Sequence, residues 1–222
     1  MAGMKQFYAG LGAIAVIGGG ALWWTNKNAA SIVPIGPIPL EAISGAKGFP
    51  GYVEGPDSAP VEVIEYADFQ CPACQTAWLL TVQDLKERLV KSGGVRYVFR
   101  DFPLDIHDKA RVAHHAAACA DEQGSFWRMH DQLYSGQAQW SAETGAVERR
   151  FREYAEQVGL DVAQYDECMA AGRYRARIQA SYDDGLALGV TSTPTFIIGN
   201  QLYSGMTYDQ LKRIVDSLAA GR

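Results

Sequence analysis

The stretch VEVIEYADFQCPAC, residues 61–74, decides the architecture. Its first half, VEVIEYADF, is dense in β-branched and aromatic residues, the composition of a buried strand. Residues 72–90 then place Trp78, Leu79, Val82, Leu85 and Leu89 at helical spacing and stop at Ser92-Gly93-Gly94. Between strand and helix lies Cys71-Pro72-Ala73-Cys74. Proline suits the first helical position, where its missing N–H has no helical partner to lose, so Cys71 becomes the N-cap and Cys74 the third helical residue.

That placement gives the pair its chemistry. The Cys71 sulfur faces unsatisfied backbone N–H groups and the positive end of the helix dipole, and both favour thiolate over thiol. An i,i+3 spacing puts the two sulfurs on one turn, within reach of a disulfide. The outer thiolate can attack or be attacked, and the inner sulfur resolves the mixed disulfide. A structural zinc site would need two more close ligands, and neither a second C-x-x-C nor a histidine pair appears with suitable spacing. A purely structural bridge is the other alternative, but so short a loop stabilises little, and a strand–CxxC–helix context is the redox one.

Outward from this motif, VRYVFR at 95–100 reads as a second strand. A helical block follows from about 107 to 188, interrupted at Gly124, around 141–145, at Gly159 and at Gly172. Thr195–Ile198 and 201–203 read as strands joined by the turn pair Gly199-Asn200, and 208–218 as an amphipathic helix. The order is strand, helix, strand, helical insertion, hairpin, helix: an α/β sheet with helices packed on it.

Upstream, residues 28–60 hold six of the nine prolines, which block helix and central strand and predict an extended spacer. Its tail packs along the body, because Phe49, Tyr52 and Val53 are apolar enough to bury. Residues 7–24 form an uncharged run of 18, ending in Trp23 and Trp24 and flanked by Lys5 and Lys27. As a helix the run spans about 27 Å, near the thickness of a bilayer core. We read residues 1–27 as a transmembrane anchor, with a cleaved signal peptide as the alternative. The flanking charges favour a cytoplasmic N-terminus and an exported body.

Composition excludes other classes. The 222 residues are 48% apolar, enough for a packed core, and 20 basic against 25 acidic residues leave no electrostatic footprint for nucleic acid.

VEVIEYADFQCPAC, the helical interruption and GVTSTPTFIIGNQLYSG together resemble the DsbA-type thiol:disulfide oxidoreductases of the thioredoxin superfamily. The resemblance covers roughly residues 60–218 and implies a thioredoxin fold with an inserted helical domain at about 105–188, within a domain spanning 61–222. It implies Cys71 as nucleophile, Cys74 as its partner in a redox-active disulfide, and a cis Thr193-Pro194 bond beside them. A loop ending in proline leaves neighbouring backbone free to pair with an extended substrate, so Thr193, Pro194, Pro72 and Ala73 form the expected substrate contact. Glu65 matches a family position six residues before the nucleophile. Buried, its carboxyl would have a raised pKa and relay the Cys74 proton; the alternative is an exposed edge-strand carboxylate. Pro72-Ala73 departs from the best-known oxidants in lacking a histidine between the cysteines, which bears on oxidising strength.

Cys119 and Cys168 lie 49 residues apart in apolar helical segments. In an exported chain with an even cysteine count we expect them to form a structural disulfide, with two buried free thiols as the alternative. The function expected is an extracytoplasmic, membrane-anchored monomer that oxidises reduced exported polypeptides without metal or organic cofactor. The resemblance implies reoxidation by a quinone-coupled membrane protein, DsbB-like or vitamin K epoxide reductase-like. A reductase using the same residues in reverse and a non-catalytic binding module are the alternatives. Isomerase activity is disfavoured, because 33 proline-rich residues cannot form the dimerisation domain of family isomerases.

Overall fold

A computed structural model of the protein describes residues 34, 36–37 and 49–221. Among the described residues six strands form one mixed sheet: β1 (Gly36–Pro37), β2 (Tyr52–Glu54), β3 (Val61–Ala67), β4 (Val95–Asp101), β5 (Thr195–Ile198) and β6 (Gln201–Ser204). Their order is β1-β6-β5-β3-β4-β2. β3 runs parallel to β4 and antiparallel to β5, and the β5–β6 hairpin turns at Gly199. A parallel pair needs a crossover, and the helix at 72–90 (α1) supplies it. α1 is α-helical at Pro72–Ala77 and Gln83–Leu85 and π-helical at Trp78–Val82 and Lys86–Val90.

Six helices form the insertion: α2 (Ala110–Asp121), α3 (Phe126–Ser135), α4 (Gln137–Ala142), α5 (Glu148–Gln157), α6 (Val162–Ala171) and α7 (Arg175–Ala187). Breaks fall at the expected Gly124, Gly159 and Gly172; the one expected around 141–145 falls at 143–147, and one more lies at Gly136. Helix α8 (Tyr208–Ala220) closes the chain, its N-terminus fixed by a capping box between Thr207 and Gln210.

The sheet buries both faces. One meets the insertion through Ala67, Phe69, Phe99, Phe126, Leu133 and Trp140. The other packs Ile64, Tyr66, Val98, Phe102 and Ile197 with Val190, Tyr182 and Leu188. Here α7 approaches closely: a Cβ on Gly185 would lie 2.7 Å from the Phe102 ring, so only glycine fits.

Within 28–60, the stretch expected as an extended spacer, the described residues include two edge strands. Gly36–Pro37 pairs with β6 and Tyr52–Glu54 with β4, closing both sheet edges, and the Tyr52 ring stacks on Phe126 with centroids 3.4 Å apart. Proline tolerates an edge position, where its missing N–H removes no ladder bond. Among the described residues no helix is long and apolar enough to cross a membrane. The anchor expected at residues 1–27 lies outside the described residues.

Candidate active site

Cys71 caps α1 in an extended conformation (φ −74°, ψ 121°), and Pro72 follows as the first helical residue. The N–H groups of Cys74 and Gln75 both donate to the Cys71 carbonyl at 3.1 Å, so the first turn winds around the nucleophile candidate. Pro72 and Ala73 are exposed, Cys71 is 7% exposed, and Cys74 is fully buried. Both cysteines are free thiols in this structure.

The two sulfurs titrate very differently. A hydrogen bond from the Cys74 thiol, together with contributions from the Thr193 side chain and the Cys74 and Ala73 N–H groups, outweighs burial and lowers the Cys71 pKa to about 5. Burial, followed by the neighbouring Cys71 and the Glu65 charge, pushes Cys74 well above the usual thiol range. At neutral pH the pair therefore holds one thiolate and one thiol, with the thiolate on the outer sulfur.

The remaining expected residues converge here. Thr193 lies against Cys71, its carbonyl 3.6 Å from Cys71 Sγ, and the Thr193-Pro194 bond is cis. Pro194 also lines an open, largely apolar depression of about 460 Å³ with Ala73, Thr76, Leu80, Met206 and Tyr208. Thr81 donates to the Met206 carbonyl at 2.9 Å and ties its two walls together.

Glu65 is not an edge-strand carboxylate: it sits on the central strand, 2% exposed. Burial raises its pKa to about 7, against a hydrogen bond from Tyr97 that lowers it. Cys119 and Cys168 are joined by a disulfide between α2 and α6, inside the core the insertion shares with the sheet.

Three further residues shape the site without a local sequence pattern that marks them. Tyr97 holds Glu65; it looks like an ordinary strand aromatic, and only the register of β4 brings it there. Gln137, buried on α4, donates from Nε2 to the carbonyls of Phe69 (2.6 Å) and Cys71 (3.0 Å), so the insertion grips the cysteine turn directly. Asp68 follows β3 and is fully buried; its backbone N–H donates to Cys74 Sγ at 3.4 Å. An acidic residue three positions before the first cysteine was the one visible signal for it.

A family model described as Thioredoxin matches residues 50–217. The chain belongs to the thioredoxin family. Within it, the likeness is to members of the DsbA and BdbD type. The crystal structure of oxidised BdbD from Bacillus subtilis superimposes with a TM-score of 0.70 at 20% identity, covering 86% of this chain and 100% of that one. A probable disulfide bond formation protein D of Bacillus anthracis is 29% identical over 164 residues, 73% of this chain and 75% of its own length. The Na(+)/H(+) antiporter NhaA 3 of Salinispora tropica is 39% identical over 155 residues, which is 69% of this chain. The chain spans only 22% of that antiporter and 25% of a second one from Salinispora arenicola.

Proposed function

We propose that this thiol–disulfide oxidoreductase works outside the cytoplasm and introduces disulfides into exported polypeptides through Cys71 and Cys74. The observation that carries this reading is the division between the sulfurs: Cys71 lowered to about 5, Cys74 buried and raised. A low-pKa sulfur is a good leaving group and makes the reduced enzyme the stable form, which is what an oxidant requires.

In the forward reaction a substrate thiolate attacks Cys71 Sγ of the oxidised pair. The Cys71–Cys74 bond breaks, its electron pair goes to Cys74, and a mixed disulfide joins substrate to Cys71. A second substrate thiolate attacks the substrate sulfur of that bond and expels Cys71 as thiolate. The substrate leaves oxidised, and the enzyme has gained two electrons. Glu65, with its carboxyl near neutrality, supplies and removes the Cys74 proton. Pro194 and Ala73 line the apolar depression, which receives the substrate chain, and Thr193 and Pro72 adjoin Cys71 as further substrate contacts.

Reoxidation falls to a quinone-coupled membrane partner, DsbB-like or vitamin K epoxide reductase-like. The domain order 1–27 anchor or signal, 28–60 tether and edge strands, 61–222 catalytic body suits a body held at the membrane. The antiporter-named relatives, where the matching stretch is a minor part of a longer chain, fit the same placement.

The reverse direction, reduction of exported disulfides, is favoured by one observation: Pro72-Ala73 places no cation between the cysteines. Trapping tests the reading common to both directions. A Cys74→Ser variant should accumulate mixed disulfides with reduced, unfolded polypeptides after activation by a small disulfide. Cys71→Ser should accumulate none, and equal trapping by both variants would defeat the assignment.

A further inference from the structure

Asp68 makes more polar contacts than a turn needs. It follows β3 directly, and its side chain is shut off from solvent. One carboxylate oxygen accepts the Gln70 N–H at 2.7 Å, and the other accepts the Leu104 N–H at 2.8 Å and lies 2.7 Å from His107 Nδ1. A carboxylate only accepts, so His107 donates from Nδ1. The Asp68 backbone faces the opposite way. Its carbonyl takes the Cys71 N–H at 3.1 Å, and its N–H points at Cys74 Sγ at 3.4 Å.

One residue thus binds both cysteines through its main chain and the 104–107 loop through its side chain. Gln70 repeats the link, donating to Asp108 at 2.9 Å and accepting the Lys109 N–H at 2.7 Å. Burying a carboxylate is unfavourable by several kcal/mol unless it is fully hydrogen-bonded, and a serine or asparagine would close a simple turn. The buried acceptor with three donors is therefore built to hold this turn in one conformation.

We infer that Asp68 and His107 are positioning residues for Cys74 as the leaving sulfur: together they aim the Asp68 N–H at the atom that takes the electron pair when substrate attacks Cys71. This rests on the oxidoreductase reading and adds a specific step to it. Substrate sulfur bonds to Cys71 Sγ, the Cys71–Cys74 bond breaks, and the new charge on Cys74 Sγ is met by an N–H already in place. A hydrogen bond to the charged form stabilises that form, so the bond is strongest as the sulfur leaves.

The test uses the oxidised full chain and glutathione as the attacking thiol, following opening of the Cys71–Cys74 bond. The control is iodoacetamide alkylation of Cys71 in the reduced chain, where no sulfur leaves from Cys74. Asp68→Ala and His107→Leu should open about tenfold more slowly, the scale of a lost charge-assisted hydrogen bond, with alkylation within about twofold of wild type. His107→Asn, whose amide can donate to the same oxygen, should recover to within about threefold. If Asp68→Ala fails to fold, the two His107 variants decide the matter. Opening of His107→Leu at the wild-type rate overturns the inference, and so does an equal slowing of opening and alkylation, which marks general loosening. A wild-type chain inert to glutathione defeats the oxidoreductase reading as well; reactive wild type with equally reactive variants defeats this inference alone.

Discussion

Tyr97 donates its phenolic hydrogen to the Glu65 carboxyl across the parallel β3–β4 pair. A neutral phenol in that position offsets only part of the burial penalty, which is why the Glu65 pKa settles near 7 and stays above the ordinary 4.5. The folded chain therefore keeps this proton over a pH range in which the unfolded chain has lost it. The associated stability is fully present below about pH 4.5 and falls as pH rises through about 7. The full difference amounts to roughly 3 kcal/mol. Glu65→Gln should flatten that part of the stability–pH curve in denaturant titrations. It should also slow the proton-coupled steps at Cys74 by about 100-fold or more. Tyr97→Phe removes the bond that lowers the pKa and should move the upper end of the window to higher pH.

The Cys71 thiolate sets an opposite pH dependence. Its folded pKa of about 5 lies below the ordinary 9.0, so its contribution to the reduced protein is full above the unfolded pKa and is lost as pH falls through about 5. The melting temperature of the reduced chain should gain on that of the oxidised chain between pH 5 and pH 8. Thiolate absorbance in the ultraviolet should titrate with a midpoint near 5 in the wild type and disappear from that range in Cys71→Ser.

The second cysteine pair is expected to support the fold without taking part in exchange. A bridge across 49 residues restrains the unfolded chain by about 4 kcal/mol in the chain-entropy picture. Cys119→Ser with Cys168→Ser should lower the denaturation midpoint accordingly. The same double variant should leave substrate trapping by Cys71 in place under native conditions.

Gln137 is where insertion and cysteine turn are joined. Gln137→Ala leaves the buried Phe69 and Cys71 carbonyls without their side-chain donor, for a stability loss of about 1–3 kcal/mol. The cysteine turn should loosen too, seen as faster amide exchange at residues 71–74 by hydrogen-exchange mass spectrometry.

Local pattern carried much of this architecture. The run 61–67, the proline after Cys71, the Gly199 turn and the glycines between insertion helices each act on their own neighbours, so their positions could be read along the chain. What escaped depends on partners distant in sequence. Gly36–Pro37 and Tyr52–Glu54 become strands only because β6 and β4 offer unpaired edges to a proline-rich segment. Tyr97 reaches Glu65 through strand register, Gln137 reaches Cys71 from 66 residues away, and Asp68 finds His107 across a loop. Glu65 stood open between buried relay and exposed edge, and burial on the central strand decides its environment.

The reduction potential of the Cys71–Cys74 couple, measured by equilibration with glutathione, tests the central claim most directly. A Cys71 thiolate stabilised to a pKa of about 5 stabilises the reduced enzyme, which makes the protein an oxidant. The account predicts a potential between about −120 and −200 mV, in the range of oxidising family members. A value near −270 mV, that of a thioredoxin reductant, would contradict the oxidising direction.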